Sequence, residues 1–231
     1  MGDVLVEIYS DVVCPWCAIG KARFEKALAQ FPDRDKIEVV WRAYQLDPTA
    51  PVTPSPVIDG YARKFGGPEK ARQIIDHVTQ VAADEGIVFD MDIAQRANTF
   101  DAHRLLWFAL EHHGRGTQND LKEALLRAYF SEGRDIANHA VLADCAAAVG
   151  IDQSTAAEFL ESGSGVREVR AELDGAIERG VSAVPTFVFD GKWAVPGAQD
   201  PDVFLRVFDR LAAREPEVAA AKVCSVDDPS C

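Results

Sequence analysis

Two cysteines, Cys14 and Cys17, enclose Pro15 and Trp16 where a strand-like run, Val4–Tyr9, gives way to a stretch of helical periodicity. A strand that delivers two thiols to the start of a helix constrains the chain strongly. Backbone N–H groups of a first helical turn lack intrahelical acceptors, and the macrodipole places partial positive charge there. Negative charge is favoured at that point, so the Cys14 sulfur is expected to ionise near neutral pH and to attack disulfides. Cys17, one turn on, is expected to attack the resulting mixed disulfide and release the substrate. A lone C-x-x-C is also half of a tetrahedral zinc site, but such a site needs two further ligands.

The periodicities around this tetrad set the organisation. Phe24, Ala27, Leu28 and Phe31 recur at helical spacing until Pro32-Asp33, and Ile37–Tyr44 is a second strand candidate, so the opening reads as β-α-β. If the strands are parallel, the crossover should be right-handed. Leu46–Pro56 holds Pro48, Pro51, Pro54 and Pro56 and reads as a loop. Helical stripes follow: Ile74, His77, Val78 and Val81, then Ala102, Leu105, Leu106 and Ala109, then Leu121, Ala124, Leu125 and Ala128. The β pattern returns with Thr186–Asp190, a Gly191 turn and Trp193–Val195, a hairpin. Asp200-Pro201 then offers an N-cap with proline at the first helical position, ahead of Phe204, Val207, Phe208 and Leu211.

Pro185 stands directly before the returning strand, a position where proline removes only one ladder donor. A cis Val184–Pro185 bond there would turn the chain sharply and present the Val184 backbone to an extended substrate. The two segments together resemble the thioredoxin superfamily. Ser10–Lys21, Asn98–Leu105, Ala128–Phe130, Gly133–Ile136 and Val184–Phe189 narrow the resemblance to the FrnE-like branch of the DsbA family. That branch is related to 2-hydroxychromene-2-carboxylate isomerases and kappa-class glutathione transferases. The resemblance implies an α/β, thioredoxin-like fold with an inserted all-helical domain. Its parts are residues 1–56 and 166–214 for the thioredoxin-like domain, 57–165 for the insertion, and 215–231 for a tail.

The activity implied is thiol–disulfide exchange by Cys14 and Cys17 beside Pro185, on protein or small-molecule disulfides, with no metal or organic cofactor. A thioredoxin or a low-molecular-weight thiol would supply reducing equivalents. Two rival readings are a glutathione-dependent isomerase or transferase, and a zinc-binding or chaperone-like protein using Cys14, Cys17, Cys224 and Cys231. In the isomerase and transferase relatives serine commonly stands where Cys14 does, which counts against that branch.

A net charge of −13 over 231 residues argues against nucleic acid or an anionic membrane as partner. No apolar run reaches the roughly 20 residues that cross a bilayer, and no basic segment followed by an apolar one opens the chain. A cytoplasmic monomer is the expectation. Thiols are kept reduced there, so net reduction or isomerisation of disulfides is expected over oxidation.

Other residues carry lesser expectations. Pro15 and Trp16 flank the sulfurs and would help set their redox potential, Trp16 serving equally as an apolar cover. Asp11 would oppose ionisation of a nearby cysteine or shuttle a proton, although capping the turn into the helix is the simpler role. Asn98, Thr99 and His103 match a family stretch that the resemblance places at the substrate cleft. His112 and His113 suit a helix C-terminus, and Cys145 suits a small buried position. Cys224 and Cys231 read either as an auxiliary redox pair whose tether raises its effective concentration at the first pair or as two incidental thiols.

Overall fold

The computed structural model describes residues 3–51 and 53–213; Cys224 and Cys231 lie outside them. Val4–Ser10 forms β1, Pro15–Gln30 forms α1 and Ile37–Ala43 forms β2. The two strands are parallel in one register from Val4↔Ile37 to Ser10↔Ala43. Pro15 occupies the first helical position of α1, where its missing N–H costs nothing, and Cys14 is the N-cap. The proline-rich loop ends in a two-residue strand, β3 (Ser55–Pro56), which no periodicity signalled.

Helices α2 (Val57–Phe65) and α3 (Pro68–Asp84) follow, then β4 (Gln95–Arg96), which pairs antiparallel with β3. The buried stripe of α3 is Ala71, Ile75, Val78 and Ala82, one step away from the expected Ile74, His77, Val78 and Val81. Two small alanines define that stripe, and His77 is exposed. Phe100–Phe130 forms α4, interrupted at Gly114, whose φ of 86° and ψ of 177° lie in a region that only glycine adopts readily. His112 and His113 therefore do end a helical arm. Three helices complete the cap and the return to the sheet: α5 (His139–Ala147), α6 (Gln153–Glu161) and α7 (Val166–Glu178).

The chain then adds β5 (Thr186–Phe189), β6 (Trp193–Pro196) and α8 (Pro201–Ala212). The sheet order is β2-β1-β5-β6, with β5 antiparallel to β1 through Ile8↔Phe187 and the β5-β6 hairpin turning at Asp190-Gly191. Asp200 is the N-cap of α8 through its backbone carbonyl, which accepts from Val203 N–H at 2.9 Å, while its carboxylate pairs with Arg23 at 3.1 Å.

Two apolar cores explain where the site falls. One lies between the sheet and helices α1 and α8, with Val6, Ile8, Phe24, Phe187, Phe189, Phe204 and Phe208. Phe24 stacks on Phe187 at 5.2 Å and meets Phe204 and Phe208 edge-on, each pair adding about 0.5–1.5 kcal/mol beyond area burial. The other core fills the helical cap around Leu105, Leu121, Leu125 and Phe130, and it takes in Val12, Ala18 and Ile19. The first turn of α1 thus packs on the cap while its later turns pack on the sheet. Cys14 and Cys17 stand at the seam.

Candidate active site

The site is assembled by three loops and two helix faces meeting at the start of α1. Cys14 Sγ donates to the Val184 carbonyl oxygen at 3.8 Å, across 170 positions of sequence. The Val184–Pro185 bond is cis. Pro185 is fixed from behind, where its carbonyl accepts from Gly197 N–H at 2.7 Å and Arg23 of α1 holds the neighbouring Ala198 carbonyl at 2.8 Å. α1 approaches this loop so closely that a Cβ on Gly20 would fall 2.8 Å from Pro185 Cγ.

Both thiols are free and buried, Cys14 at 4% exposure and Cys17 at 0%, so only Cys14 reaches the surface. Their proton affinities are pulled apart. The hydrogen bond shared with the Cys17 thiol, and then burial, push Cys14 well up, against a smaller pull from the Cys17 backbone N–H. At Cys17 burial raises the proton affinity, but the Cys14 thiol, the Lys122 charge and the Ser10 hydroxyl together outweigh it and lower the thiol. The pair therefore loses a first proton early and a second late, and the two steps belong to the pair. A helix start favours the charge, yet proton sharing and burial at Cys14 weigh more.

Asp11 does not cap α1. Its Oδ2 accepts from Leu46 N–H at 2.8 Å, and its Oδ1 lies 3.3 Å from His103 Nε2. The same Nε2 is 3.0 Å from the Tyr44 carbonyl, and since both partners are acceptors Nε2 carries the hydrogen. His103 is thereby occupied in tying α4 to the loop ahead of Cys14. Asn98 bonds the Ala50 carbonyl at 3.1 Å and receives Phe100 N–H at 3.0 Å, so it braces the start of α4. Pro15 is buried at the helix start, and Trp16 is 39% exposed, its ring 6.3 Å from that of His77.

Of the expected cleft residues only Thr99 lines a cavity of about 370 Å³ beside the sulfurs, together with Asp11, Val13 and Tyr129. Its outer wall carries Tyr61, Arg63 and Lys64 of α2. Burial, with the Cys14 charge behind it, pushes the Tyr61 hydroxyl up to about 12. Cys145 is 3% exposed within the cap, as a small apolar residue would be.

Lys122, Tyr61 and Ser10 carried no sequence signal of their own. The one available clue for Lys122 is its place on a helical face with Gln118, Leu125 and Tyr129, all of them buried. Among the described residues no helix is long and apolar enough to cross a membrane.

Known proteins share this fold. The chain is 30% identical over 203 residues to Uncharacterized protein YwbO of Bacillus subtilis (strain 168), covering 87% of this chain and 94% of YwbO. It matches the crystal structure of probable DsbA oxidoreductase SCO1869 from Streptomyces coelicolor with a TM-score of 0.85, at 36% identity and 97% coverage of both chains. The cytosolic disulfide reductase DsbM from Pseudomonas aeruginosa, solved with GSH, shares the fold with a TM-score of 0.63 at 19% identity, over 90% of this chain and 98% of DsbM. A family model described as a DSBA-like thioredoxin domain matches residues 5–209. That match spans most of the chain, and the chain belongs to the DSBA-like thioredoxin domain family.

Proposed function

We propose that this protein is a thiol–disulfide oxidoreductase in which Cys14 attacks a substrate disulfide and Cys17 resolves the mixed disulfide. The observation that carries the reading is the Cys14 sulfur set against the Val184 carbonyl, with Cys17 sealed behind it. A substrate sulfur can reach Cys14 alone. When the shared proton rests on Cys17, the charge is on Cys14 and attack proceeds; resolution then needs that proton to leave Cys17. An extended substrate would lie along Val184, exchanging backbone hydrogen bonds in the manner of an added strand.

In a reducing compartment the cycle would run toward reduction or isomerisation of substrate disulfides. The fold shared with a cytosolic disulfide reductase supports placing the chain in such a compartment. The cavity beside the sulfurs supports a low-molecular-weight thiol as the co-substrate that regenerates the dithiol, because Arg63 and Lys64 at its wall suit a carboxylate tail on an otherwise acidic protein. No metal or organic cofactor is required for any of these steps.

Insulin reduction in the presence of dithiothreitol tests the reading. Cys14→Ser should abolish turnover, and Cys17→Ala should accumulate mixed disulfides that identify the substrate. Full activity in Cys14→Ser refutes the assignment.

A further inference from the structure

The exchange cycle leaves one buried charge without a task. Lys122, in the second arm of α4, is 0% exposed, and its Nζ has no hydrogen-bond partner among the described residues. An ammonium group away from water is costly unless it is paired. Lys21, also buried, shows the ordinary solution: it pairs with Glu25 at 2.8 Å and Glu123 at 2.7 Å. Lys122 has only the Trp41 ring of β2, 5.4 Å from Nζ.

The titratable groups that act on Lys122 come from α1 and the loop before it. They are Cys17 and Cys14 at the start of α1, Asp11 in the loop before it, and Lys21 farther along α1. Of these Cys17 acts on it most strongly. A second polar atom converges on the same sulfur from β1: the buried Ser10 hydroxyl acts to lower Cys17. An unpaired ammonium and a buried hydroxyl around one thiol mark it as a place where charge appears and disappears.

We propose that Lys122 is the counter-ion and proton store of Cys17, holding a proton on Nζ while the pair is reduced and giving it up as the disulfide closes. The inference rests on the thiol-exchange reading. The first substrate sulfur, displaced when Cys14 attacks, takes the Cys17 proton and leaves as a thiol; in the resolving step the Cys17 thiolate's electron pair forms the Cys14–Cys17 bond. The bond between Cys14 and the substrate sulfur breaks, and its electron pair leaves on that sulfur. Lys122, having lost its anion, releases one proton, and the substrate departs as a thiol. The substrate is reduced by two electrons and the cysteine pair is oxidised by two. Lys122 is a positioning residue, since it acts through Cys17 and touches no substrate.

Burial pulls Lys122 down to about 8, with Cys17, Asp11 and Cys14 opposing a deeper fall. A group in that range trades its proton near neutrality. Coupling between two titrations is reciprocal, so whatever Lys122 does to Cys17 is returned in equal measure.

The test follows lysine side-chain NMR signals of the wild-type protein through a pH titration in the oxidised and the reduced states. The lysine titrating farthest below the ordinary range should do so at lower pH in the oxidised protein. Lys122→Met, a change of similar volume that removes a buried charge with no hydrogen-bond partner, should keep or raise thermal stability. It should also shift thiolate formation, read by ultraviolet absorbance, to higher pH. The equilibrium constant favouring the dithiol against glutathione should fall about tenfold, or ~30 mV. Lys122→Arg should restore part of both. An identical lysine titration in the two redox states, or an unmoved thiolate profile in a folded Lys122→Met, overturns the inference. A pair that never closes reversibly overturns the exchange reading and this inference together, whereas a cycling pair with an indifferent lysine overturns the inference alone.

Discussion

His103 Nε2 and Asp11 Oδ1 meet at 3.3 Å, so a histidine of the cap holds the carboxylate that precedes Cys14 in the sequence. Both side chains are almost fully buried, and the contact spans 92 positions of the chain. His103→Ala would leave a buried carboxylate and the Tyr44 carbonyl each short of a donor, which costs about 1–3 kcal/mol. Urea unfolding of the variant should show that loss.

Asp11→Asn separates charge from connectivity. The amide still accepts from Leu46 N–H, but the negative charge that pushes Cys14 up is gone. Thiolate absorbance should appear at lower pH than in the wild type, and an unchanged profile would show that the carboxylate does not act on the sulfurs.

Gly20 tests the approach of α1 to the proline loop. Its added Cβ would come within 2.8 Å of Pro185 Cγ and 3.4 Å of Ala198. A helical Gly→Ala change normally stabilises by up to about 1 kcal/mol, yet here overpacking should reverse the sign and cost about 1–3 kcal/mol. Gly20→Ala should also slow insulin reduction by displacing Pro185 from Cys14. A stabilised variant of full activity would show that the loop yields freely.

The cavity wall makes a salt-dependent prediction. Converting Arg63 and Lys64 to glutamate should raise KM for glutathione about tenfold at low ionic strength and less at high. KM for uncharged dithiothreitol should stay as it was. Equal effects on both thiols would remove the charge argument.

Away from the sulfurs, His139 ties three cap helices together, its Nδ1 2.8 Å from Glu161 and its Nε2 3.0 Å from Asp101. The Asp101 and then the Glu161 carboxylate hold its folded proton affinity above the ordinary imidazole value, against burial. A raised value means the stabilisation is complete below the unfolded pKa of about 6.5 and is lost as pH rises through the folded one. Melting temperature should therefore decline across that window in the wild type, and the decline should be smaller in His139→Gln. Parallel curves for the two proteins would rule the contact out as a source of pH dependence.

Much of this arrangement was visible in residue order because local rules govern it. The β1-α1-β2 unit, the β5-β6 hairpin and the arm of α4 ending at His112-His113 follow from periodicity and turn chemistry. Pro185 stood out through its place before a strand. Lys122 did not, because a lysine beside Leu121 reads as part of a solvated face until β2 and α1 are seen closing over it. The forces acting on the two sulfurs were hidden for a similar reason. A helix start is local, whereas burial and the Lys122 charge come from elsewhere in the chain. Asp11 was read as a cap since nothing nearby in sequence announces Leu46 or His103 as its partners.

Gly114 decides how far apart two of those partners stand. In an uninterrupted helix, His103 and Lys122 would be separated by about 28 Å along the axis, yet both act on Asp11. The break divides the helix, so a clamp for the carboxylate and a cation acting on the inner sulfur are carried by its two arms. A bulkier residue at that hinge would strain a backbone shape open only to glycine. The damage would surface far away, as a cysteine pair whose appetite for electrons had changed while every atom of its own tetrapeptide stayed the same.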